Sequence, residues 1–224
     1  TPYTAQVEMA RGIPVEMDTY EEEDFQINID RLKSLITPRT KALIINTPSN
    51  PTGSCLSADT LGEIAKIAEE EDLIVIADDI YTSYSFEKDF IPFMSMPGMR
   101  ERTITINSFS KNFIMTGWRV GNIIAPAFIV RVLKDMGENI VYSAPAPSQR
   151  AAIYALRNRK AIQPPIIAEY RKRMEYAAER INRIPWMSVI TPPKGSFYLF
   201  INIKKTGLSS LDAADMILEK AHVL

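Results

Sequence analysis

The sequence predicts an α/β fold with a mostly parallel sheet, followed by a smaller second unit. Three features carry this reading: short apolar runs rich in β-branched residues, helix-period stretches between them, and one long amphipathic helix ahead of a final set of short strand-like runs. Lys41 to Asn46 (KALIIN) reads as a strand closed by the turn-forming TPSNPTG of Thr47 to Gly53. From Ser57, a plausible N-cap, the spacing of Leu61, Ile64, Ala65, Ile67 and Ala68 predicts a helix that ends in the acidic patch Glu69 to Asp72. Leu73 to Ala77 (LIVIA) is a continuous apolar run, as expected of a strand buried on both faces. Together these segments form a right-handed βαβ unit.

Further strands are predicted at Thr103 to Ile106 (TITI), which leads into NSFSKNF, and at Trp118 to Ile124 (WRVGNII). Phe128 to Met136 and Ser148 to Leu156 read as helices. Pro164 to Ile184 places Ile166, Ile167, Tyr170, Met174, Ala177, Ala178, Ile181 and Ile184 on one face, with its RKR triplet on the solvated side. Short strands are then expected around Val189 and from Phe197 to Ile203, with a last helix from Ser210 to Ala221. The composition shift between Asn158 and Pro165 sets the boundary at residues 1–160 and 161–224.

Composition narrows the class of function. The 224 residues are 46% hydrophobic and 24% charged, with 9 Gly and 15 Pro, which fits a globular chain and excludes collagen-like and disordered ones. The 26 Lys and Arg nearly balance the 27 Asp and Glu, so there is no basic footprint for nucleic acid or an anionic membrane. Cys55 and His222 are the only residues of their types, which leaves no disulfide pair and no Cys- or His-based metal cluster. No apolar run approaches the roughly 20 residues of a membrane helix. A cytoplasmic protein acting on a small molecule is the expectation.

In an open parallel sheet, ligands bind beyond the carboxyl ends of the strands. Asn50 follows the first predicted strand, Asp78 and Tyr81 close the second, and Ser108, Ser110 and Lys111 follow the third, with Arg119 eight residues on. Hydroxyls and a guanidinium suit a phosphate, a carboxylate suits a protonated ring nitrogen, and an amine suits a carbonyl, so the set fits an anionic aromatic cofactor. Taken singly, each residue has an ordinary alternative. Asp78 could cap a helix, although Asp79 is the better candidate for that, Tyr81 could simply be packed, and Asn50 could be an Asx-turn residue. Cys55 reads as a small packed residue, and His222 as a surface or capping one.

This order of motifs resembles the class I and II aminotransferases of fold type I, which depend on pyridoxal 5'-phosphate. The matching stretches are Asn50-Pro51-Thr52-Gly53, Asp78-Asp79-Ile80-Tyr81, Ser108-Phe109-Ser110-Lys111 and Thr116-Gly117-Trp118-Arg119-Val120-Gly121, with Pro193 to Tyr198 similar to the start of the family's small domain. The resemblance implies a three-layer, cofactor-binding large domain plus part of a small α+β C-terminal domain. It also implies a homodimer that moves an amino group between an amino acid and a 2-oxo acid. By the same resemblance Lys111 forms a Schiff base with the cofactor and serves as the base. Asp78 pairs with the ring nitrogen, and Asn50 and Tyr81 bond the ring's phenolic oxygen. Ser108 and Arg119 hold the phosphate, Ser110 is a weaker phosphate contact, and Tyr3 of Pro2-Tyr3 stacks on the ring, although Gln6 stands where relatives often have a further aromatic. Relatives also carry a glycine-containing phosphate cup and an arginine for the substrate carboxylate that match no residue here. With Thr1 first and Leu224 closing an amphipathic segment, a fragment is expected. A carbon-sulfur lyase, a cofactor-sensing regulator and a chemically silent relative are the competing readings on this fold. Thr116 to Arg119 looks more like an aminotransferase than a lyase, no helix-turn-helix or basic patch supports the regulator, and the joint retention of Lys111, Asp78, Asn50, Tyr81 and Arg119 argues against the silent relative.

Overall fold

The computed structural model describes residues 2–223. After helices α1 (Pro2–Met9) and α2 (Ile29–Leu35) come strand β1 (Ala42–Asn46), helix α3 (Ala58–Glu70), strand β2 (Ile74–Asp78) and strand β3 (Thr103–Ser108). There follow the single-turn helix α4 (Phe109–Asn112), strand β4 (Gly121–Ile124) and helices α5 (Ala127–Ile140), α6 (Ala146–Arg157), α7 (Arg159–Asn182) and α8 (Ser210–Ala221). The four strands form one mixed sheet in the order β1-β2-β3-β4, in which the first three are parallel and β4 runs antiparallel to β3. The fold is therefore α/β with a mostly parallel sheet.

Ser57 starts α3 as the sequence predicts, its hydroxyl accepting from the Thr60 amide at 3.0 Å. The helix lays Leu61, Ile64, Ala65, Ile67 and Ala68 against Leu73, Val75 and Ala77, and Leu32, Ile45, Phe93 and Met99 complete the core. Each large aliphatic side chain removed from water here contributes roughly 1.5–3 kcal/mol. Val75 and Ala77 of β2 are fully buried, whereas Ile74, Ile76 and Asp78 on the other face are half-buried, so only one face of the strand is closed as the apolar run predicts.

Elsewhere the structure departs from the sequence pattern for identifiable reasons. The strand expected from Trp118 begins only at Gly121, because Thr116–Trp118 form a 3₁₀ turn and Arg119 is left-handed at φ 49°. Helix α7 starts five residues before Pro164. A proline inside a helix removes the hydrogen bond to the carbonyl four residues back. The carbonyls deprived here belong to the exposed Lys160 and Ala161, which water can satisfy, while Ile162 packs against the cluster of Phe109, Met115, Val120, Ala152 and Ala155 and holds the first turn in place. The strands expected near Val189 and at 197–203 reduce to one reciprocal pair, Ser188 with Asn202. Ser196, left-handed at φ 53°, turns the chain, and the Ser196 amide bonds the Tyr84 carbonyl at 2.8 Å, so this segment pairs with the loop after β2. Helix α8 follows the prediction, with Ser209 as its N-cap and exposed His222 as its C-cap.

Candidate active site

The register of the three parallel strands brings their carboxyl ends level. Asn46 at the end of β1 stands opposite Asp78 at the end of β2, and β3 runs on through Ser108 into α4. Asn46, which the sequence reading passed over, ties the edge together: its side chain donates to the Asp78 carbonyl at 2.9 Å and accepts from the Asn50 amide at 2.7 Å. Its position as the last residue of β1 was the available signal. Gly53 lets the Asn50 loop fold tightly. It is left-handed at φ +71°, and an added Cβ would lie 2.8 Å from the Tyr198 carbonyl.

Asp78 projects from the half-buried face, where its Oδ2 accepts from the Tyr3 hydroxyl. Its Oδ1 is buried with no hydrogen-bond partner among the described residues. Burial raises the carboxyl above its ordinary range, against the opposing bonds from Tyr3 and the Ile80 amide. Tyr3 therefore reaches the site, but by its hydroxyl on Asp78. Burial first and Asp78 second raise its phenol.

Tyr81 is 2% exposed, and its hydroxyl meets that of Tyr198 at 3.0 Å. Burial and then Tyr198 raise this phenol as well, while the Asn50 amide acts in the opposite sense. Asn50 and Tyr81 are thus brought together, and Tyr198 joins them as a residue to which sequence reasoning gave no role.

Ser108 caps α4, its hydroxyl accepting from the Ser110 amide at 3.1 Å. Lys111 lies in this helix with its ammonium 5.6 Å from the centroid of the Phe197 ring. The β3–β4 pairing of Ser108 with Gly121, and the Phe109 amide on the Val120 carbonyl at 3.3 Å, put Arg119 across from Ser108 and Ser110. The Arg119 side chain is exposed and donates to the Thr116 carbonyl at 2.8 Å.

Asp79 corrects one expectation. It caps no helix: the 3₁₀ turn Thr82–Tyr84 begins after Tyr81 with no side-chain cap. Successive strand residues point to opposite faces, so Asp79 turns away from Asp78 into the interior, 1% exposed and with Oδ1 unpartnered among the described residues. Burial, then the charge of Asp78, push it up to about 7. Cys55 is packed as expected, its thiol pushed up to about 11 by burial.

This donor set suits pyridoxal phosphate by its chemistry. Asp78 offers a buried acceptor oxygen of the kind a protonated ring nitrogen needs, and Ser108, Ser110 and Lys111 lie at α4, with the Arg119 backbone opposite and its guanidinium on the Thr116 carbonyl.

Compared with known proteins, the sequence matches the family described as aminotransferase class I and II over residues 1–224. The chain belongs to that family. It is 43% identical to an aspartate aminotransferase of Pyrococcus abyssi, over 99% of this chain and 57% of that protein. It is 41% identical to aromatic-amino-acid aminotransferase 2 of Thermococcus litoralis, with the same coverage of 99% and 57%. Among solved structures, an aromatic aminotransferase from Pyrococcus horikoshii superposes with a TM-score of 0.93 at 40% identity, over 99% of this chain and 60% of that one. The chain thus spans about 57% of the length of the curated relatives it matches. The family uses pyridoxal phosphate, and no helix among the described residues is long and apolar enough to cross a membrane.

Proposed function

We propose that this chain carries the cofactor-holding part of a cytoplasmic aminotransferase that moves an amino group between an amino acid and a 2-oxo acid. The observation that carries the reading is the buried Asp78 Oδ1, without a hydrogen-bond partner among the described residues, at the same strand edge as the Lys111-bearing helix. Relatives named for aspartate and for aromatic amino acids support the amino-acid class.

Bound pyridoxal phosphate supplies an electron sink for the substrate α-carbon. The protein's residues do the rest. Asp78 holds the proton on the ring nitrogen, and Tyr81 and Asn50 donate to the ring's phenolic oxygen. Ser108, Ser110 and Arg119 bind the phosphate through charge-assisted bonds worth roughly 1.5–3 kcal/mol each. The Lys111 amine binds the cofactor aldehyde and moves the substrate α-proton, and the Tyr3 ring orients the cofactor from the side of α1. On this reading residues 1–160 form the three-layer large domain, while 161–224 form the linking helix and part of a small α+β domain. Two chains pair as a homodimer.

The test is visible absorption of the purified chain with added pyridoxal phosphate, then borohydride trapping and peptide mapping. Label concentrated on Lys111 and lost in Lys111→Ala is expected. Label spread evenly over exposed lysines such as Lys160 overturns the assignment.

A further inference from the structure

Lys111 is held by its backbone as well as by the sequence around it. The Tyr84 hydroxyl, on a ring 1% exposed, donates to the Lys111 carbonyl at 2.9 Å. Next in the chain, Asn112 is also buried; its side chain accepts from the Ser83 amide at 3.2 Å and donates to the Thr82 hydroxyl at 3.1 Å. Gln163 arrives from α7, donating to the Ser83 hydroxyl at 2.9 Å and more weakly to the Asn112 carbonyl at 3.4 Å.

Two further contacts continue this line. Ile162 packs against the cluster of Phe109, Met115, Val120, Ala152 and Ala155, whose first three members flank the lysine. One and two turns along α7, Ile166 and Tyr170 pack against the cluster of Tyr81, Tyr84, Phe86 and Met174, which Phe197, the ring beneath the Lys111 ammonium, also joins. The Tyr170 ring meets those of Tyr84 and Phe197 at 5.3 and 5.2 Å. One face of α7 therefore packs on the two clusters that border the lysine segment, and Gln163 is its polar link.

We propose that Gln163 is a positioning residue that ties α7 to the Lys111 backbone through Ser83 and Asn112, so that the placement of α7 sets the reach of the lysine amine. The inference rests on the aminotransferase reading. A four-carbon side chain swings from its Cα, so a small shift of α4 displaces the amine by more than the shift itself. Tyr84 fixes the carbonyl and Asn112 fixes the following residue, and Gln163 is the one of the three that belongs to another helix.

The experiment compares the wild-type chain with Gln163→Met, which keeps the length and removes the donor, and with Gln163→Lys, which restores a donor of similar reach. Tyr84→Phe is the second anchor variant. Two readings are taken: amide hydrogen exchange across 109–115 with α3 as internal control, and the share of borohydride-trapped pyridoxal phosphate on Lys111 relative to Lys160. Exchange across 109–115 is expected to rise about three- to tenfold in Gln163→Met and Tyr84→Phe, with α3 unchanged. The Lys111 share should fall in parallel, and Gln163→Lys should restore both. Unchanged exchange in Gln163→Met overturns the proposal. So does faster exchange with an unaltered Lys111 share in a chain that labels, because the link is then structural only. A wild type with no preference for Lys111 but the full exchange response overturns the cofactor assignment and leaves the mechanical link supported. The two failures are therefore distinguishable.

Discussion

The parallel half of the sheet and the antiparallel flank that follows it are both written in apolar residues, yet they end in opposite environments. Val75 and Ala77 of β2 are fully buried, whereas all four residues of β4 are exposed. Helix α3 buries five side chains, while α5 buries none, and leaves Phe128 57%, Val132 58% and Ile140 70% exposed. The difference lies in what each strand brings with it. The β1–α3–β2 unit folds its own helix across its sheet face. Among the described residues nothing closes over β4 in the same way, so apolar sequence there does not become core.

The sharpest way to break this contrast is to remove one phenyl ring from each region. Phe93→Ala, at a fully buried position, is expected to cost about 3–5 kcal/mol, and Phe128→Ala, on α5, to stay within about 0.5 kcal/mol, as read from urea midpoints. Equal losses would mean that α5 is covered in solution.

Asp79 tests the closed half by pH. Its folded-state value near 7 lies above the ordinary 3.8, so the unfolded chain releases the proton first. Stability is then undiminished below about pH 4, declines as pH rises from about 4 to about 7, and is level above. The buried carboxylate's cost at pH 8 is on the order of 4 kcal/mol. A buried amide keeps part of that desolvation cost, so Asp79→Asn should recover about 1–3 kcal/mol at pH 8 and flatten the profile. Denaturation midpoints from pH 4 to 8 that run parallel in the two proteins would show that Asp79 is not the group responsible.

A smaller effect sharpens the comparison at the helix ends. Ser57→Ala removes the cap of α3 and should cost about 1 kcal/mol in the same urea assay. The α5 helix follows Pro126 without a side-chain cap and has no such contribution to lose. A loss below about 0.3 kcal/mol would place the stability of α3 in its packing alone.

Much of the fold was legible because its local signals agree. Ser57, the 3.6-residue spacing after it and the LIVIA run each specify a neighbouring element, and together they specify a βαβ unit. The candidate site was legible for a related reason: Asp78 ends its strand and Asn50 and Lys111 follow theirs, where sheet topology gathers side chains. The segment from Val189 to Ile203 was misread as strands because its partner, the loop around Tyr84, is about a hundred positions earlier, and no local pattern announces a pairing at that distance. Gln163, Tyr198 and Asn46 were missed on similar grounds. Each looks ordinary in sequence, and its role comes from a residue brought to it by folding.

By itself the sequence determined the alternation of strand and helix, the caps and the chemical types collected at the sheet edge, because each depends on residues within a few positions. Only the tertiary structure decided which apolar runs are buried, which way Asp78 and Asp79 face, and which side chains grip the Lys111 backbone. Burial and orientation depend on contacts between segments distant in the chain, and those exist only once the sheet has formed.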